Sequence, residues 1–582
     1  MEWKLKPQVP ADIAEKLGYS SELNQLLFNR GIFDRATAKK FFHPDYSKLH
    51  DPFLFKDMNV AVARILLAIE NKESIVIHGD YDADGVTAAA VLYKVLTILG
   101  GRVEVFIPSR EQEGYGLNMN TAADFVAKKY SLLITVDCGI SNFEEINFLE
   151  QNGVDVIVTD HHEPPAKSPR ALAIINPKFD KNYPFRDLAG VGVAYKLAQA
   201  ILRQAVETFH ETSLQQYGGV AGLEKWLLDL VAIGTVADCM PLLDENRVLA
   251  KYGVLVLKQT QWLGLQKLLK LIGADIESIS VATIGFQIGP RLNAAGRMNH
   301  ANQAFKLLVT EDGEEADKIG CELHKLNSQR QQLTERILKE AKSQVGEIGD
   351  RNIYFVYSEK WEIGVCGLVA GKLAESFSKP AVVATMVNGN VVGSVRGTPK
   401  GQAGSVNVVE TFRLFENYFC RLGGHSGACG FTLKADATIE KLADELHEHL
   451  AKVAPTSAEP ILEIDAAAEL LNLKQNLLGM LDYFEPFGEG NRAPVFLVKN
   501  LEIVGTKVVG KDGKYLQMFV CEPNHSFIYR LICFSNVEQL SKLRIGDIVD
   551  AVVEAGLNVW NGASEIQYKV VDIKSEARSS KF

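Results

Sequence analysis

Three short apolar runs in this chain each end in acid, two of them with imidazole beside it: SIVIHGDYDADG (residues 74–85), SLLITVDCGI (131–140) and DVIVTDHHEPP (155–165). Each run is too brief for a helix and rich in branched side chains, so each reads as a buried strand. Glycines at 79 and 85, and Pro164-Pro165, stop regular structure just beyond the acids. After Gly85, VTAAAVLYKVLTIL has helical spacing, which leaves His78 to Gly85 as a strand-to-helix loop. A fourth block, LVAIGTVADCMPL (230–242), places Asp238 after an apolar stretch from Leu227 to Val236. Open α/β sheets collect ligands at the carboxyl ends of their strands. His78, Asp80, Asp82, Asp84, Asp137, Asp160, His161, His162 and Asp238 are therefore expected to form one site.

A single Asp after a strand is ordinarily a helix cap or turn residue, and a single apolar-flanked His is ordinarily a core residue. Asp80 fits the capping role as well as any other. The set is different, because carboxylates gathered out of water repel one another unless a cation neutralises them. Hard divalent cations take carboxylate oxygens, and Mn2+ also accepts imidazole. The chemistry this predicts is two-metal hydrolysis of a phosphate ester.

The blocks HGDYDADG, VDCGI, TDHHEPP, GVGVAYKLA and GTVADCMPL together resemble the motifs of the DHH phosphoesterase superfamily. Within it the chain is similar to the RecJ single-strand-specific 5′ exonucleases, because PSREQEGYGLN, GPRLNAAGRM, GGHSGACGFT and EPFGEGNRAPVF follow in the same order. The resemblance runs from about Leu54 to the C-terminal region. It implies a first cation held by His78, Asp82 and Asp137, and a second held by Asp84, Asp137, His161 and Asp238. Asp137 would bridge them. His162 would face the scissile phosphate or the leaving group, while Asp80 and Asp160 would orient ligands from behind. The cations implied are two Mn2+ or Mg2+.

At 582 residues the chain exceeds one core. We expect an accessory helical segment (1–50), a DHH parallel-sheet catalytic domain (51–310), a connecting helix (311–345), a DHHA1 α/β domain (346–455) and a C-terminal OB-fold β-barrel (456–582). The first helix of the catalytic domain is expected within FLFKDMNVAVARILLAIENKE (53–73), and the second α/β unit contains a helix at about 364–377. The barrel follows from the short runs APVFLVKN, LEIVGTKVVG, KYLQMFVCE, FIYRLICFS and IVDAVVEAGLN, separated by turn residues.

Apolar content of 47% and charged content of 23% describe a globular chain, and no apolar run is long enough to span a membrane. MEWKLKPQVP lacks the layout of a secretion signal, and eight cysteines without a CxxC pair suit a reducing compartment. The expected location is the cytoplasm. A net charge of −10 runs against the basic surface usual in nucleic-acid enzymes. A local basic track would answer that, built from Arg110, Arg291, Arg297, Arg396 and Lys400. For each, a solvated surface charge is as good a reading.

Asn293, Ser394, Gly424 and His425 join these arginines as candidate substrate contacts, the last two in a glycine-rich turn expected to close on phosphate. Phe519, Tyr529 and Trp560 are candidates for base stacking or for plain barrel core. The family implies 5′-to-3′ digestion of single-stranded DNA to mononucleotides in repair and recombination, with a helicase and a single-strand-binding protein as partners. Two other classes compete: a phosphodiesterase for short oligonucleotides or cyclic dinucleotides, and a non-catalytic strand-binding scaffold. The extra barrel favours long polymers over the first, and the complete ligand set argues against the second.

Overall fold

The computed structural model describes residues 2–575 except 110–115, 209–214, 216–217, 299–300, 399–405, 454–460, 478–479, 510–514, 524–526, 535–539, 541 and 561–562. The chain divides into two units. The larger comprises 5–296, 300–321 and 463–582, and the smaller comprises 1–4, 297–299 and 322–462.

In the larger unit the predicted strands form a five-stranded parallel sheet. Its order is Arg102–Phe106, Ser74–Gly79, Leu132–Val136, Asp155–Thr159 and Ala173–Ile175. Register sets the site. Gly79 pairs with Val136, and Val136 with Thr159, so Asp80, Asp137 and Asp160 leave the sheet at one level. The helix Ala83–Ile98 is buried on nearly every side, which its Ala- and Val-rich sequence permits. It packs against the helices Gly190–Thr208 and Leu228–Ala237.

Two expectations change here. The helix after the first strand begins at Ala83 instead of after Gly85. Its cap is Asp82, whose carboxylate accepts from the N–H groups of Asp84 (2.9 Å) and Gly85 (3.1 Å), so Asp80 is not the cap. The apolar stretch before Asp238 is the helix Leu228–Ala237, and Asp238 is its C-cap. A buried helix and a buried strand are equally apolar, which is why that run was ambiguous.

The barrel consists of Val495–Val509, Tyr515–Cys521, Ile528–Cys533, Ala563–Ser575 and Ile548–Trp560, closed by pairing of the first strand with the last. Two runs read separately, APVFLVKN and LEIVGTKVVG, are one continuous strand. The N-terminal helices Ala11–Leu17, Ser21–Phe28 and Arg35–Phe42 share the barrel's core: Leu17, Leu26, Leu27 and Phe42 belong with Phe484, Phe496, Met518 and Leu531. The two ends of the chain thus bury one apolar surface together.

The smaller unit holds a mixed sheet ordered Phe419–His425, Ala428–Leu433, Asn390–Arg396, Ala381–Val387 and Tyr354–Tyr357. Only the last two pair in parallel. Its helix Ile363–Phe377 agrees with the sequence reading, and the connecting helix runs Gly313–Ile348. No helix among the described residues is long and apolar enough to cross a membrane.

Candidate metal centre

The sheet end and two helices bring the predicted acids and histidines together. Three donor groups have ligand atoms within 4.8 Å of one another: Asp80–Asp82–Asp137, Asp84–His161–Asp238 and Asp137–His161–His162. His161 Nε2 lies 3.1 Å from Asp137 Oδ1, 3.6 Å from Asp238 Oδ2 and 3.9 Å from Asp84 Oδ2. Asp137 is common to two groups, as a bridging ligand requires, and its backbone adopts a positive φ of 60°, uncommon outside glycine. Asp80, expected behind the ligands, is instead a donor in one group. His78 is in none of the three.

Backbone amides hold several of these carboxylates. Asp84 accepts from the N–H groups of Gly190 (2.7 Å) and Val191 (2.8 Å), at the start of the helix Gly190–Thr208. There the helix dipole favours an anion. Asp160 accepts from the N–H groups of Ile140, His161 and His162 and from His162 Nδ1 at 2.8 Å, which supports its expected orienting role. Asn293 Oδ1 accepts from Ala83 N–H at 2.7 Å. The residue expected to touch substrate therefore braces the loop that carries Asp82 and Asp84.

Glycine makes this packing possible. A Cβ on Gly190 would fall 2.5 Å from Asp137 Oδ1, one on Gly234 2.7 Å from Asp84 Oδ1, and one on Gly296 2.5 Å from the Tyr81 carbonyl. The GVGVAYKLA, GTVADCMPL and GPRLNAAGRM blocks contain these glycines. The motifs pointed at the supporting residues, but nothing local in them told which carboxylate each would meet.

Protonation follows from the crowding. Burial and the Asp82 charge push Asp84 up to about 7. Burial and neighbouring carboxylates raise Asp137 and Asp238 well above the usual range. Burial, then His162, lowers His161 to about 3, and burial lowers His78 to about 4. Burial opposes charge on His162, but the Asp160 hydrogen bond and charge outweigh it and raise its pKa to about 9. Asp160 stays below the ordinary range, since its histidine partners outweigh the cost of burial. Buried Asp137 and Asp84, 2% and 1% exposed, carry like charge with no lysine or arginine among the causes of their shifts. Among the described residues, neither ring nitrogen of the fully buried His78 makes a well-aligned hydrogen bond, and the Gly116 backbone only partly offsets its burial. Such a donor set fits divalent cations, whose charge would return the carboxyls to their ionised form.

The second candidate region lies in the smaller unit. The glycine-rich block forms a β-hairpin: His425 pairs with Ala428, and Ala428 with Arg396. Directly opposed antiparallel residues share a face, so His425, Arg396 and Ser394 line one side over Ala428 and Gly430. Gly424, at φ +147°, approaches so closely that a Cβ would meet the Ala428 carbonyl at 2.3 Å. Arg297 donates to the Gly364 carbonyl at 3.2 Å, and Arg291, in the larger unit, to the Gln287 carbonyl at 2.6 Å. Arg110 and Lys400 lie outside the described residues, as does the side chain of Trp560.

In the barrel Tyr529 is buried and belongs to the core. The outward row is different. Phe519 pairs with Gly505 and Arg530, and Tyr515 meets the half-exposed Phe534 edge to face at 5.2 Å. Strict alternation within KYLQMFVCE would have separated Tyr515 and Phe519 from the core positions Leu516 and Met518.

Comparison with known proteins agrees with this architecture. The DHH family N-terminal domain matches residues 74–235, the DHHA1 domain 350–452 and the RecJ OB domain 464–572. The single-stranded-DNA-specific exonuclease RecJ of Bacillus subtilis (strain 168) is 36% identical over 570 residues, covering 96% of this chain and 69% of its own. The crystal structure of RecJ in complex with Mn2+ from Thermus thermophilus superposes with a TM-score of 0.81 at 27% identity. It covers 99% of this chain and 80% of that one. The Mg2+ complex from the same organism gives 0.75 at 26% identity, over 99% of this chain and 79% of that one. With its motifs, domain order and donor cluster all in agreement, the chain belongs to the RecJ family of the DHH phosphoesterases.

Proposed function

We propose that this chain degrades single-stranded DNA from the 5′ end to mononucleotides, hydrolysing phosphodiester bonds at the Asp137 cluster. One observation carries the reading: Asp137 is shared between acidic and imidazole donor groups at the sheet end. Two divalent cations bound there, Mn2+ or Mg2+, would supply Lewis acidity and an ionised water. Asp80, Asp82, Asp84, Asp137, His161 and Asp238 are the proposed ligands, and His78 lines the same sheet end from a fully buried position.

The chain's own part in proton transfer falls to His162. Asp160 occupies Nδ1, so Nε2 is the atom left to hold a proton, and the Asp160 hydrogen bond and charge favour the protonated ring. His162 Nε2–H would then protonate the leaving 3′ oxygen. Asp160 orients the ring and favours its charged form, as an acid does in a catalytic triad. In the smaller unit Ser394, Arg396 and His425 bind backbone phosphate, and in the barrel Tyr515, Phe519 and Phe534 stack bases. The enzyme works in the cytoplasm on strands that a helicase exposes and a single-strand-binding protein covers.

The test is digestion of end-labelled single strands of DNA and RNA with Mn2+, beside 5′-overhang, 3′-overhang and blunt duplexes. Mononucleotides released from the 5′ end of DNA, with little attack on blunt duplex, is the expected result. Equal rates on all three duplexes would remove the single-strand requirement. Cleavage confined to oligonucleotides of a few residues would favour the short-substrate phosphodiesterase. Binding without cleavage would favour the scaffold.

A further inference from the structure

The proposed cation ligands are supported in more than one way. Asp84 and Asp82 each accept two backbone N–H bonds. The carboxylate of Asp238 forms an ion pair with His161 Nε2 at 3.6 Å. Its aim depends on the backbone from which it leaves the helix end. That backbone turns sharply: Asp238 N–H bonds to the Gly234 carbonyl, Cys239 takes φ 55°, and Met240 N–H returns to the Thr235 carbonyl.

The next anchor comes from far along the chain. Leu242 N–H donates to the Glu489 carbonyl at 2.8 Å. Glu489 lies in EPFGEGN (485–491), a block that the proposed chemistry does not use. Its two glycines sit against the Asp238 segment. A Cβ on Gly488 would lie 2.6 Å from Leu242 Cδ1 and 3.2 Å from Cγ, and one on Gly490 3.1 Å from Pro241 Cβ. The turn is closed by reciprocal bonds between Gly488 and Asn491. Asn491, 1% exposed, donates to the Phe484 and Pro486 carbonyls and accepts from Arg30 Nε. Arg247, five residues beyond Leu242, donates to the carbonyls of Tyr483, Phe484 and Glu485. Leu242, Pro241 and Arg247 thus tie the segment after Asp238 to this turn, and Asn491 and Arg30 hold the turn's own shape.

We propose that the 485–491 turn is a positioning element for Asp238, so that the Asp84–His161–Asp238 donor group reaches full affinity for a divalent cation only when this turn is seated. The proposal rests on the metal-centre reading above. It makes the preface to the barrel a part of the active site's support, and Gly488 and Asn491 positioning residues that never touch substrate.

A double-mutant cycle on the full-length chain tests it, with Mn2+ binding read as the loss of the free-ion electron paramagnetic resonance signal. Gly488→Ala, which only adds a methyl against Leu242, should weaken one class of Mn2+ site about tenfold, the size usual for removing outer support. Asn491→Ala should do the same, and serves if the first variant fails to fold. In an Asp238→Ala background neither substitution should weaken Mn2+ further. Wild-type affinity in both single variants, or equal weakening with and without Asp238, would overturn the proposal alone. A wild-type protein that binds no Mn2+ would overturn the metal-centre reading with it.

Discussion

The parallel sheet of the larger unit and the mixed sheet of the smaller one both place functional side chains where strands end, yet they support them in opposite ways. At the first, carboxylates are buried, raised in pKa and surrounded by amides and glycines from distant helices. At the second, His425 is exposed and Ser394 and Arg396 half-buried, over the small residues of the hairpin and against Gly367 of the helix Ile363–Phe377. Burying like charge is costly enough that every neighbour must fit around it. The face that carries Arg396 and His425 buries no like charge and needs fewer constraints. Damage should therefore spread widely from the first region and remain local in the second.

The largest effect expected is from Asp137→Ala. Losing the shared carboxylate should lower hydrolysis by about 10²-fold or more while strand binding without metal persists. Residual activity above a few per cent of wild type would remove its central role. Next is Gly190→Ala, far from any substrate contact. Its methyl would crowd Asp137, so it should destabilise by about 1–3 kcal/mol and weaken Mn2+ binding too. Normal melting and normal Mn2+ affinity would show that this packing is slack.

Titration sharpens the contrast. The folded pKa of Asp84, about 7, lies above the roughly 3.9 of an unfolded aspartate. Its contribution to stability is thus full below about 3.9 and lost as pH rises through 7. Asp137 and Asp238 shift the same way, and His162, raised to about 9, loses its contribution between roughly 6.5 and 9. His78 and His161, lowered to about 4 and 3, oppose this trend below about 6.5. Metal-free protein should therefore melt lower as pH rises from about 6.5 to 9, and Mn2+ should raise Tm more at pH 8 than at pH 5.5. Calorimetry showing the reverse order would contradict the buried-anion account.

Smaller effects belong to the second region and the barrel. Arg396→Ala should weaken single-strand binding about tenfold, a phosphate contact's share, and flatten its salt dependence without moving Tm. Phe519→Ala should cost a few-fold in affinity, at the low end of the roughly 1–3 kcal/mol of a base stack. If Arg396→Ala instead lowered Tm as Gly190→Ala is expected to, the distinction between the regions would fail.

Much of the fold was legible because periodicity is local. The runs ending at Asp80, Asp137 and Asp160 are strands, the helix 364–377 is found at Ile363–Phe377, and the connecting helix is continuous. Legibility failed where two structures share one pattern. The run before Asp238 is as apolar as a strand and is a helix, and the glycines of GGHSGACGFT suit a loop or a hairpin equally. Tyr529 faces the core and Phe519 does not, a choice set by strand register.

From residue types and short-range order alone came the chemistry: acids and imidazoles at strand ends, a cation-dependent hydrolase, two α/β regions and a barrel. Tertiary packing decided how those groups are held. It placed Asp80 among the donors and turned Asn293 into a brace for Ala83. It brought Gly190 against Asp137, joined the N-terminal helices to the barrel core, and set the 485–491 turn against Pro241 and Leu242. Such pairings depend on distances between residues far apart in the chain, and no local propensity or periodicity encodes a distance of that kind.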